Sequence, residues 1–544
     1  MSSSTGMFRG VDARITLVST LIIVAFVSFC AVMGERAGAV FGELSTSILL
    51  NFKWFYLTLA SGVLVYLLYL MVSRYGNVTL GKDGEQPEFS TISWLSMLFS
   101  AGMGIGLLFW SVAEPMWHYA GNPFSATALS AESAETAMRV TYFHWGMHAW
   151  ALYLMPALCL AYFSFRKGKP LSIRSTLTPL FGEARMDGWL GSLFDILIVV
   201  VTAFGIATSF GLGVEQMATG IKTLTGFELG IGLKMALILA ISLIAIMSVV
   251  SGVERGIKLL SLWNMLLSLV ILAAVMAFGP TRYILNTILE GTSGYAQSVI
   301  GMSLWSDTQN DAGWQNWWTA FYWAWWLTWA PFVGTFIARI SRGRTIRQLV
   351  MGSLIIPVLF SFVWIGTFGG AALSYEKDER IAHQEQVASQ ALSGEAAEFA
   401  GGTILVATKA DATHSLFSLF DKIEQSSGMG IGGLLGALAS LLIVTYFVTS
   451  ADSGTLVVST LAARGNIHPP TASRVAWGLM VGAIAAGLLW SGGLKSVQTA
   501  SICAALPIGV ILLLMGMALH RTLLTEPVRS LTLNGAEDYE PTLD

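Results

Sequence analysis

The stretch NWWTAFYWAWWLTW, residues 316–329, carries six tryptophans inside an apolar segment long enough to cross a bilayer. Helices that face lipid use mainly Leu, Ile and Val and keep tryptophan at the water interface. Trp325, Trp326 and Trp329 stand too deep in the segment to form such an interfacial belt. On a helix, Tyr322, Trp326 and Trp329 share one face, and Trp325 lies on the adjoining face. The stretch therefore predicts a membrane helix whose indole rings line a cavity.

Indole faces that line a cavity indicate a particular kind of ligand. An aromatic face attracts a cation with about 0.5–2 kcal/mol, and the attraction is largest in a dry site. A cation bound in this way needs no hydrogen bonds to the protein. The cluster therefore favours a quaternary ammonium or a similar onium compound.

The composition places the whole chain in a membrane. Of its 544 residues, 54% are hydrophobic and only 12% are charged, whereas soluble domains carry about 25% charged residues. The three cysteines lie in apolar stretches and predict neither a disulfide framework nor a zinc site. No basic patch indicates nucleic-acid binding. We expect an all-α, polytopic membrane protein in contact with lipid.

Apolar segments of about 18 residues or more predict twelve transmembrane helices. An even number of spans places both termini on the same side of the membrane. The predicted spans cover residues 14–34, 52–73, 92–117, 138–165, 191–213, 231–251, 257–279, 318–338, 349–374, 432–460, 473–491 and 497–520.

The positive charges predict the orientation. The two tails, the even-numbered connections and the span ends beside them hold 19 of the 30 Lys and Arg residues. Cytoplasmic segments are enriched in these residues, so we expect both termini in the cytoplasm and the protein in the cytoplasmic (inner) membrane. Two long connections, 280–317 and 375–430, then lie outside; the first contains an amphipathic stretch, and the second reads as a solvated loop with a helix or two.

The third predicted span contains glycines near its middle, at Gly102, Gly104 and Gly106. Each glycine in a helix interior costs about 1 kcal/mol relative to alanine. One interpretation is close packing against another helix. The other is an unwound segment whose carbonyl groups face a cavity, because irregular backbone at membrane depth is tolerated only in such a setting.

The tenth predicted span has a polar interruption, TYFVTSADSG. The hydroxyl groups of Thr449, Ser450 and Ser453 are hard oxygen ligands of the kind that suits Na⁺. The alternative is hydrogen bonding of these hydroxyls to the carbonyl groups of their own helix. A broken third helix beside this segment would favour the ion.

The fourth predicted span supplies a second aromatic set, FHWGMHAWALY. Trp145, Trp150 and Tyr153 fall within an arc of roughly 140° at 100° per residue. This arc and the Trp326 face could form the walls of one box, and ordinary core packing is the alternative. His144 and His148 lie among these aromatics, and we expect them to be hydrogen-bonded structural residues without a proton role.

Four motifs together resemble the betaine/choline/carnitine transporter family: GMGIG, FHWGMHAWALY, FYWAWWLTWAPFVGTFIARISRGR and TSADSG. The resemblance covers residues 10–520, and the third motif is the most specific. It implies a fold similar to the five-plus-five inverted-repeat (LeuT-like) transporters, with two additional N-terminal helices, and a homotrimer. The implied parts are a cytoplasmic tail 1–13, accessory helices 14–90, a first repeat 91–279, an extracytoplasmic connection 280–317, a second repeat 318–520 with the outside loop 375–430, and a cytoplasmic tail 521–544.

The resemblance also implies which residues bind substrate and Na⁺, the coupling ion. By motif, the substrate contacts are Trp145, Trp150, Tyr153, Trp325, Trp326 and Trp329. The implied sodium site lies between spans three and ten, next to the broken backbone at Gly102, Gly104 and Gly106. Its ligands are backbone carbonyls near Ser100, Met103 and Tyr446 and the hydroxyls of Thr449 and Ser450.

The chain departs from some relatives at informative positions. Betaine carriers of this family can place two threonines in span five for a second sodium, and here the pair is Thr202 and Ile206. Proton-coupled choline carriers place an Asp where Gly106 stands. Its absence favours a substrate with its own carboxylate. The C-terminal tail is short and acid-ended, unlike the long basic tails of osmosensing members.

The expected function is Na⁺-coupled symport of glycine betaine or a close zwitterion, for osmoprotection or carbon supply. Dimethylsulfoniopropionate, carnitine and choline are the alternatives within the same class. An onium channel would need a continuous polar pore. A membrane enzyme is not expected, because the sequence contains neither HExxH nor GxSxG. Glu114 and Asp195 are expected near helix ends, in structural pairs.

Overall fold

A computed structural model describes residues 10–102, 104–251, 254–309, 313–390, 392–466 and 468–527; the side chains of 99–102, 248–251, 254–259 and 395–396 are not part of this description. The described chain is almost entirely helical. Its one isolated β-bridge joins Thr79 to Thr345. The all-α class expected from the composition is confirmed.

The α-helices of the described chain are numbered in chain order. They are α1 (Ala13–Met33), α2 (Glu35–Val72), α3 (Thr91–Gly102), α4 (Ile105–Ala120), α5 (Ala131–Trp145), α6 (Met147–Ala161), α7 (Ile173–Thr176), α8 (Thr178–Phe181), α9 (Glu183–Asp187), α10 (Trp189–Thr225), α11 (Ile231–Ser251), α12 (Glu254–Phe278), α13 (Thr281–Ser303), α14 (Phe321–Ile340), α15 (Ile346–Gln390), α16 (Thr403–Ala410), α17 (Ser415–Ser427), α18 (Gly432–Ala462), α19 (Thr471–Trp490) and α20 (Gly493–Leu523). Short 3₁₀ turns lie at Arg74–Asn77, Gly394–Ala397 and Ala412–His414, and π-helical turns at Tyr162–Arg166 and Asn316–Ala320.

Nine helical segments of the described chain are long and apolar enough to cross a membrane. They are Ala13–Met33, Glu35–Val72, Ala131–Arg166, Trp189–Thr225, Leu260–Phe278, Ile346–Gln390, Gly432–Ala462, Thr471–Trp490 and Gly493–Leu523.

The other three predicted spans are also helical, but they are not among the nine. The third is divided between α3 and α4, the sixth contains the shorter apolar helix Ile231–Met247, and the eighth is the tryptophan-rich α14. These differences arise from a break, a short apolar stretch and an aromatic composition, respectively.

Small residues let the helices of the predicted site approach one another closely. A Cβ on Gly334 of α14 would lie 2.7 Å from Pro156 of α6, and one on Gly205 of α10 would lie 2.8 Å from the Thr328 carbonyl oxygen of α14. Glycine at such crossings allows backbones to touch. As a result α14 packs against α6 and α10, while α10 also packs against α18.

The connections predicted to share one side of the membrane meet in space. Four ion pairs connect these segments two at a time. They join the N-terminal segment to the segment after α18, the α2–α3 connection to the segments after α6 and α14, and the segment after α6 to the segment after α20. The pairs are Asp12–Arg464, Asp83–Arg166, Glu85–Arg342 and Lys167–Glu526. The predicted pair of Asp195 is also present, with Arg174.

The segment predicted as an outside loop with a helix or two, 375–430, contains the end of α15 and the helices α16 and α17. Helix α15 continues to Gln390, so the predicted boundary at residue 374 falls inside a continuous helix. The carboxylate of Glu376 accepts hydrogen bonds from the backbone N–H of Gly402 at 2.7 Å and of Leu405 at 2.9 Å, which anchors the start of α16. Helices α16 and α17 both pack against α4.

Glu526 ties the C-terminal end of α20 to the end of the fourth predicted span. Its buried carboxylate accepts hydrogen bonds from the Tyr162 hydroxyl and the Lys167 ammonium, each at 2.6 Å, and from Arg166. Burial alone would raise the pKa of Glu526, but Lys167, Tyr162 and Arg166 outweigh it and hold the pKa below its ordinary value of 4.5. A carboxyl with a lowered folded-state pKa stabilises the protein above its ordinary pKa, and this contribution is lost as pH falls through the folded value.

We predict that Glu526→Gln destabilises the protein at pH 7 by about 1–3 kcal/mol, because three donors lose a charged acceptor. The difference in stability from wild type should shrink as pH falls from 4.5 through the lowered pKa of Glu526, because the wild-type side chain then becomes neutral like that of the variant. Melting temperatures of the purified proteins between pH 8 and pH 3.5 test this. The matched control is Glu183→Gln, which removes an exposed partner of Lys169 and should change little. Equal effects of the two substitutions at pH 7 would contradict the assignment.

Candidate functional site

A cavity of about 400 Å³ lies between the helices that carry the four sequence motifs. This volume is within the range of small-molecule sites. The six predicted substrate residues all line it: Trp145, Trp150, Tyr153, Trp325, Trp326 and Trp329. Predicted sodium-site and broken-helix residues in the same lining are Gly104, Gly106, Tyr446, Thr449 and Ser450.

Trp326 is the centre of the aromatic wall. Its ring centroid lies 4.9 Å from Trp145 and 5.9 Å from Tyr153, both edge-to-face, and 4.8 Å from Trp325, which is stacked on it. Trp150 extends the wall through Tyr153, at 5.8 Å. Rings packed at right angles expose faces and edges to the space between them, and this is the geometry of an aromatic box.

Hydrogen bonds fix the orientation of the Trp326 and Trp329 rings. The Trp326 N–H donates to the His144 carbonyl oxygen at 3.1 Å, and the Trp329 N–H donates to the Gly205 carbonyl oxygen at 2.8 Å. Because each polar edge is bound to the backbone, the ring faces remain available to a ligand. Trp329 therefore adds a further aromatic surface to the same cavity.

The third predicted span is interrupted beside the box. Helix α3 ends at Gly102, α4 starts at Ile105, and Gly104 between them has extended backbone. Ser100 lies in the last turns of α3, and Met103 lies outside the described residues. The interruption places backbone groups at membrane depth next to the cavity, the setting in which irregular backbone is tolerated.

Gly106 also has a packing role. A Cβ at this position would lie 2.6 Å from the Trp325 ring and 3.5 Å from the Trp145 ring. Both interpretations of the glycines therefore apply in this span. The backbone is interrupted at Gly104. Two indoles of the box pack against Gly106, where the Cβ of any other residue would collide with the Trp325 ring.

The polar segment of the tenth predicted span does not break its helix. Helix α18 is continuous through Thr449 and Ser450. The Thr449 hydroxyl donates to carbonyl oxygens of its own helix, those of Thr445 and Tyr446, and accepts a hydrogen bond from Asn264 at 3.1 Å. The back-bonding alternative is thus observed for Thr449.

Glu114 lies behind the aromatic wall, in a network of polar contacts that was not predicted from the sequence. It was expected near a helix end, but it is fully buried within α4. Its carboxylate accepts hydrogen bonds from Trp145 Nε1 at 2.9 Å and the Tyr322 hydroxyl, and it lies 2.6 Å from His144 Nδ1 and 3.3 Å from His118 Nε2. The available signal was a carboxylate in the third predicted span, with one histidine directly after that span and another in the fourth. Ionisable groups at this depth need partners. Their three ligand atoms also lie close enough to hold a metal ion.

His148 follows its prediction more closely. Its Nε2 lies 3.0 Å from the Ser303 hydroxyl, and its ring stacks on Trp323. These contacts are those of a hydrogen-bonded core histidine.

These features define a class of protein. A polytopic helical membrane protein with an aromatic cavity beside an interrupted helix has the general design of a carrier for small solutes. The chain belongs to the betaine/carnitine/choline transporter family, whose model matches residues 14–528.

Individual relatives agree with the family. The chain is 39% identical over 524 residues to a probable glycine betaine transporter of Desulfitobacterium hafniense (strain Y51), covering 95% of this chain and 99% of that protein. It is 39% identical over 479 residues to the glycine betaine transporter OpuD of Bacillus subtilis (strain 168), covering 88% and 87%. It is 38% identical over 512 residues to a glycine betaine/proline/choline/ectoine transporter of Vibrio parahaemolyticus, covering 93% and 86%. The protein is a multi-pass membrane transporter and not an enzyme.

We predict that Gly106→Ala weakens ligand binding by at least about 10-fold, because the new methyl group must displace the Trp325 ring from the box. Binding of radiolabelled glycine betaine to the purified protein measures this. Gly62→Ala is the matched control, since a Cβ there meets no atom within 4 Å. Near-normal affinity of Gly106→Ala would mean that the Trp325 position does not matter for the ligand.

Proposed function

We propose that this transporter is a Na⁺-coupled symporter that takes up glycine betaine by alternating access. The observation that supports this most strongly is that the aromatic box and the oxygen-bearing face of α18 line the same cavity. A coupling ion and an onium substrate bound there would lie close together. The relatives named as glycine betaine transporters favour this substrate over its analogues.

The lining of the cavity favours a zwitterion over a simple cation. Among the described residues that line it, none is Asp, Glu, Lys or Arg. Trp325 occupies the space that an acidic side chain at position 106 would need. A zwitterion such as glycine betaine brings its own carboxylate, which can contact the sodium ion. Choline, which has no carboxylate, is therefore the less favoured substrate, and dimethylsulfoniopropionate and carnitine remain alternatives that an aromatic box would also accept.

The proposed architecture has twelve spans, with spans 3–7 and 8–12 as inverted repeats, and the subunits form a homotrimer. The protein lies in the inner membrane, with both termini in the cytoplasm. Its uptake of substrate serves osmoprotection. The ion pairs that join both tail segments with the basic connections support a common side for them. The excess of Lys and Arg on that side supports its assignment to the cytoplasm.

We predict that Trp326→Leu abolishes glycine betaine binding or weakens it by about 30-fold or more, since a central cation–π wall is lost from a dry site. Tryptophan fluorescence titration and uptake into proteoliposomes measure the effect. The control is Trp189→Leu, which changes a tryptophan that is 71% exposed. If the Trp326→Leu protein keeps its affinity for glycine betaine and its melting temperature is normal, Trp326 is not part of the ligand site.

The fifth predicted span favours one sodium ion per substrate. Ile206 stands where an oxygen ligand for a second sodium would be needed, and its side chain packs against Gly454 of α18. The Thr202 hydroxyl has no hydrogen-bond partner among the described residues. Two nearby hydroxyls, those of Thr208 and Ser209, are the alternatives for the missing ligand. Thr208 is already bonded to Ser501 at 2.7 Å, and Ser209 lies in the cavity lining.

We predict a coupling ratio of one Na⁺ per glycine betaine, measured from reversal potentials in proteoliposomes. Each sodium driven by 100 mV supplies about 2.3 kcal/mol, so the ratio strongly changes the achievable accumulation. Thr449→Ala combined with Ser450→Ala should raise the Na⁺ concentration needed for half-maximal uptake. A ratio of two, or uptake that persists when K⁺ replaces Na⁺, would contradict the assignment.

A further inference from the structure

Four polar groups converge on the buried carboxylate of Glu114, two on each oxygen. Oε1 lies 2.6 Å from His144 Nδ1 and 3.3 Å from His118 Nε2, and Oε2 lies 2.9 Å from Trp145 Nε1 and also accepts the Tyr322 hydroxyl. An ionised carboxylate has about four lone-pair sites and no hydrogen to donate. The arrangement therefore fits the ionised form of Glu114.

The surrounding contacts assign both histidines as neutral. His144 Nε2 lies 3.0 Å from the Thr319 hydroxyl and can accept its hydrogen, which leaves the Nδ1 hydrogen for Glu114. His118 Nδ1 is buried without a partner among the described residues. An unpartnered lone pair is tolerated better there than an unpartnered N–H, so the His118 hydrogen lies on Nε2. An additional proton on His144 Nε2 would deprive the Thr319 hydroxyl of this acceptor.

The cluster then carries one negative charge that no basic side chain balances. Among the described residues, the ion-pair contacts of Glu114 are limited to His118 and His144. All three side chains are fully buried. A buried charge is costly unless it is hydrogen-bonded and paired with an opposite charge. The hydrogen bonds are present, and the opposite charge is missing.

The cluster lies directly behind the aromatic box. Trp145 and Tyr322, whose polar hydrogens point at Glu114, have ring centroids 4.9 Å and 5.6 Å from that of Trp326. Glu114 itself does not line the cavity, so it is one hydrogen bond away from the ligand space. A negative charge at the polar edges of these rings makes their faces more attractive to a cation.

We propose that Glu114 is the counter-charge of the box: it selects an onium headgroup over an uncharged headgroup of the same shape. This inference rests on the proposed function of the cavity as an onium site. It also gives a charge balance, because a zwitterion with one Na⁺ carries a net charge of +1 and neutralises the single charge of Glu114. Glu114 acts through Trp145 and Tyr322, so it is a positioning and charge-balancing residue.

The test compares glycine betaine with 3,3-dimethylbutyrate, in which a carbon atom replaces the nitrogen. Equilibrium binding of both compounds to the full-length protein, at one saturating Na⁺ concentration, gives a ratio of dissociation constants. For Glu114→Gln we expect the preference for glycine betaine to fall by about 10- to 100-fold, as expected for loss of a unit charge in a poorly screened site. Glu114→Asp should weaken both ligands but keep the preference, because it keeps the charge.

A second variant covers the case in which Glu114→Gln does not fold. His118→Lys places a cation beside the intact carboxylate, which keeps the donors from His144, Trp145 and Tyr322. The preference should fall as in Glu114→Gln.

The ligand preference of the variants tests the role of Glu114, and the preference of the wild-type protein tests the proposed function. An unchanged preference in a folded Glu114→Gln or His118→Lys protein, even with weaker binding of both ligands, would reduce Glu114 to a structural role and overturn the inference. A wild-type protein that does not prefer glycine betaine to 3,3-dimethylbutyrate would instead overturn the proposed function itself.

Discussion

The site depends on one constraint: three of its indole rings are held in place by hydrogen bonds from their N–H groups, which leaves the ring faces to a ligand. Trp326 donates to a backbone carbonyl of α5, Trp145 to the carboxylate of Glu114, and Trp329 to a backbone carbonyl of α10. These three bonds use acceptors from three different helices. They orient the rings so that their faces meet in one cavity, and they require those helices to stay at fixed distances.

The helix packing satisfies this constraint through small residues. Gly205 and Gly334 allow α14 to approach α10 and α6, and Gly106 gives Trp325 and Trp145 a flat surface on α4. The break before Ile105 then brings backbone groups to the edge of the same cavity. Packing, the broken helix and the aromatic wall are therefore parts of one arrangement, which is what the proposed coupling of a sodium ion to an onium substrate requires.

Sequence analysis predicted the helical membrane class, the family and the aromatic residues, because these depend on composition and local motifs. The six predicted substrate residues line one cavity, and their assignment as ligand contacts remains a prediction. The network around Glu114 was missed because its donors come from three segments far apart in the chain, and their meeting depends on tertiary packing. The continuation of α15 to Gln390 was missed for a similar reason. Its polar end is stabilised by contacts of Glu376 with α16, which no local pattern displays.

The location of the bound onium group tests the central claim most directly. The arsenic analogue of glycine betaine has the same shape and charge, and its arsenic atom can be located by anomalous scattering in crystals of the wild-type protein grown with Na⁺. If Trp326 holds the onium headgroup, one strong arsenic peak lies within about 6 Å of its ring centroid, the distance over which cation–π attraction acts. A peak elsewhere in the protein, away from the rings of Trp145, Tyr153 and Trp326, would contradict the claim.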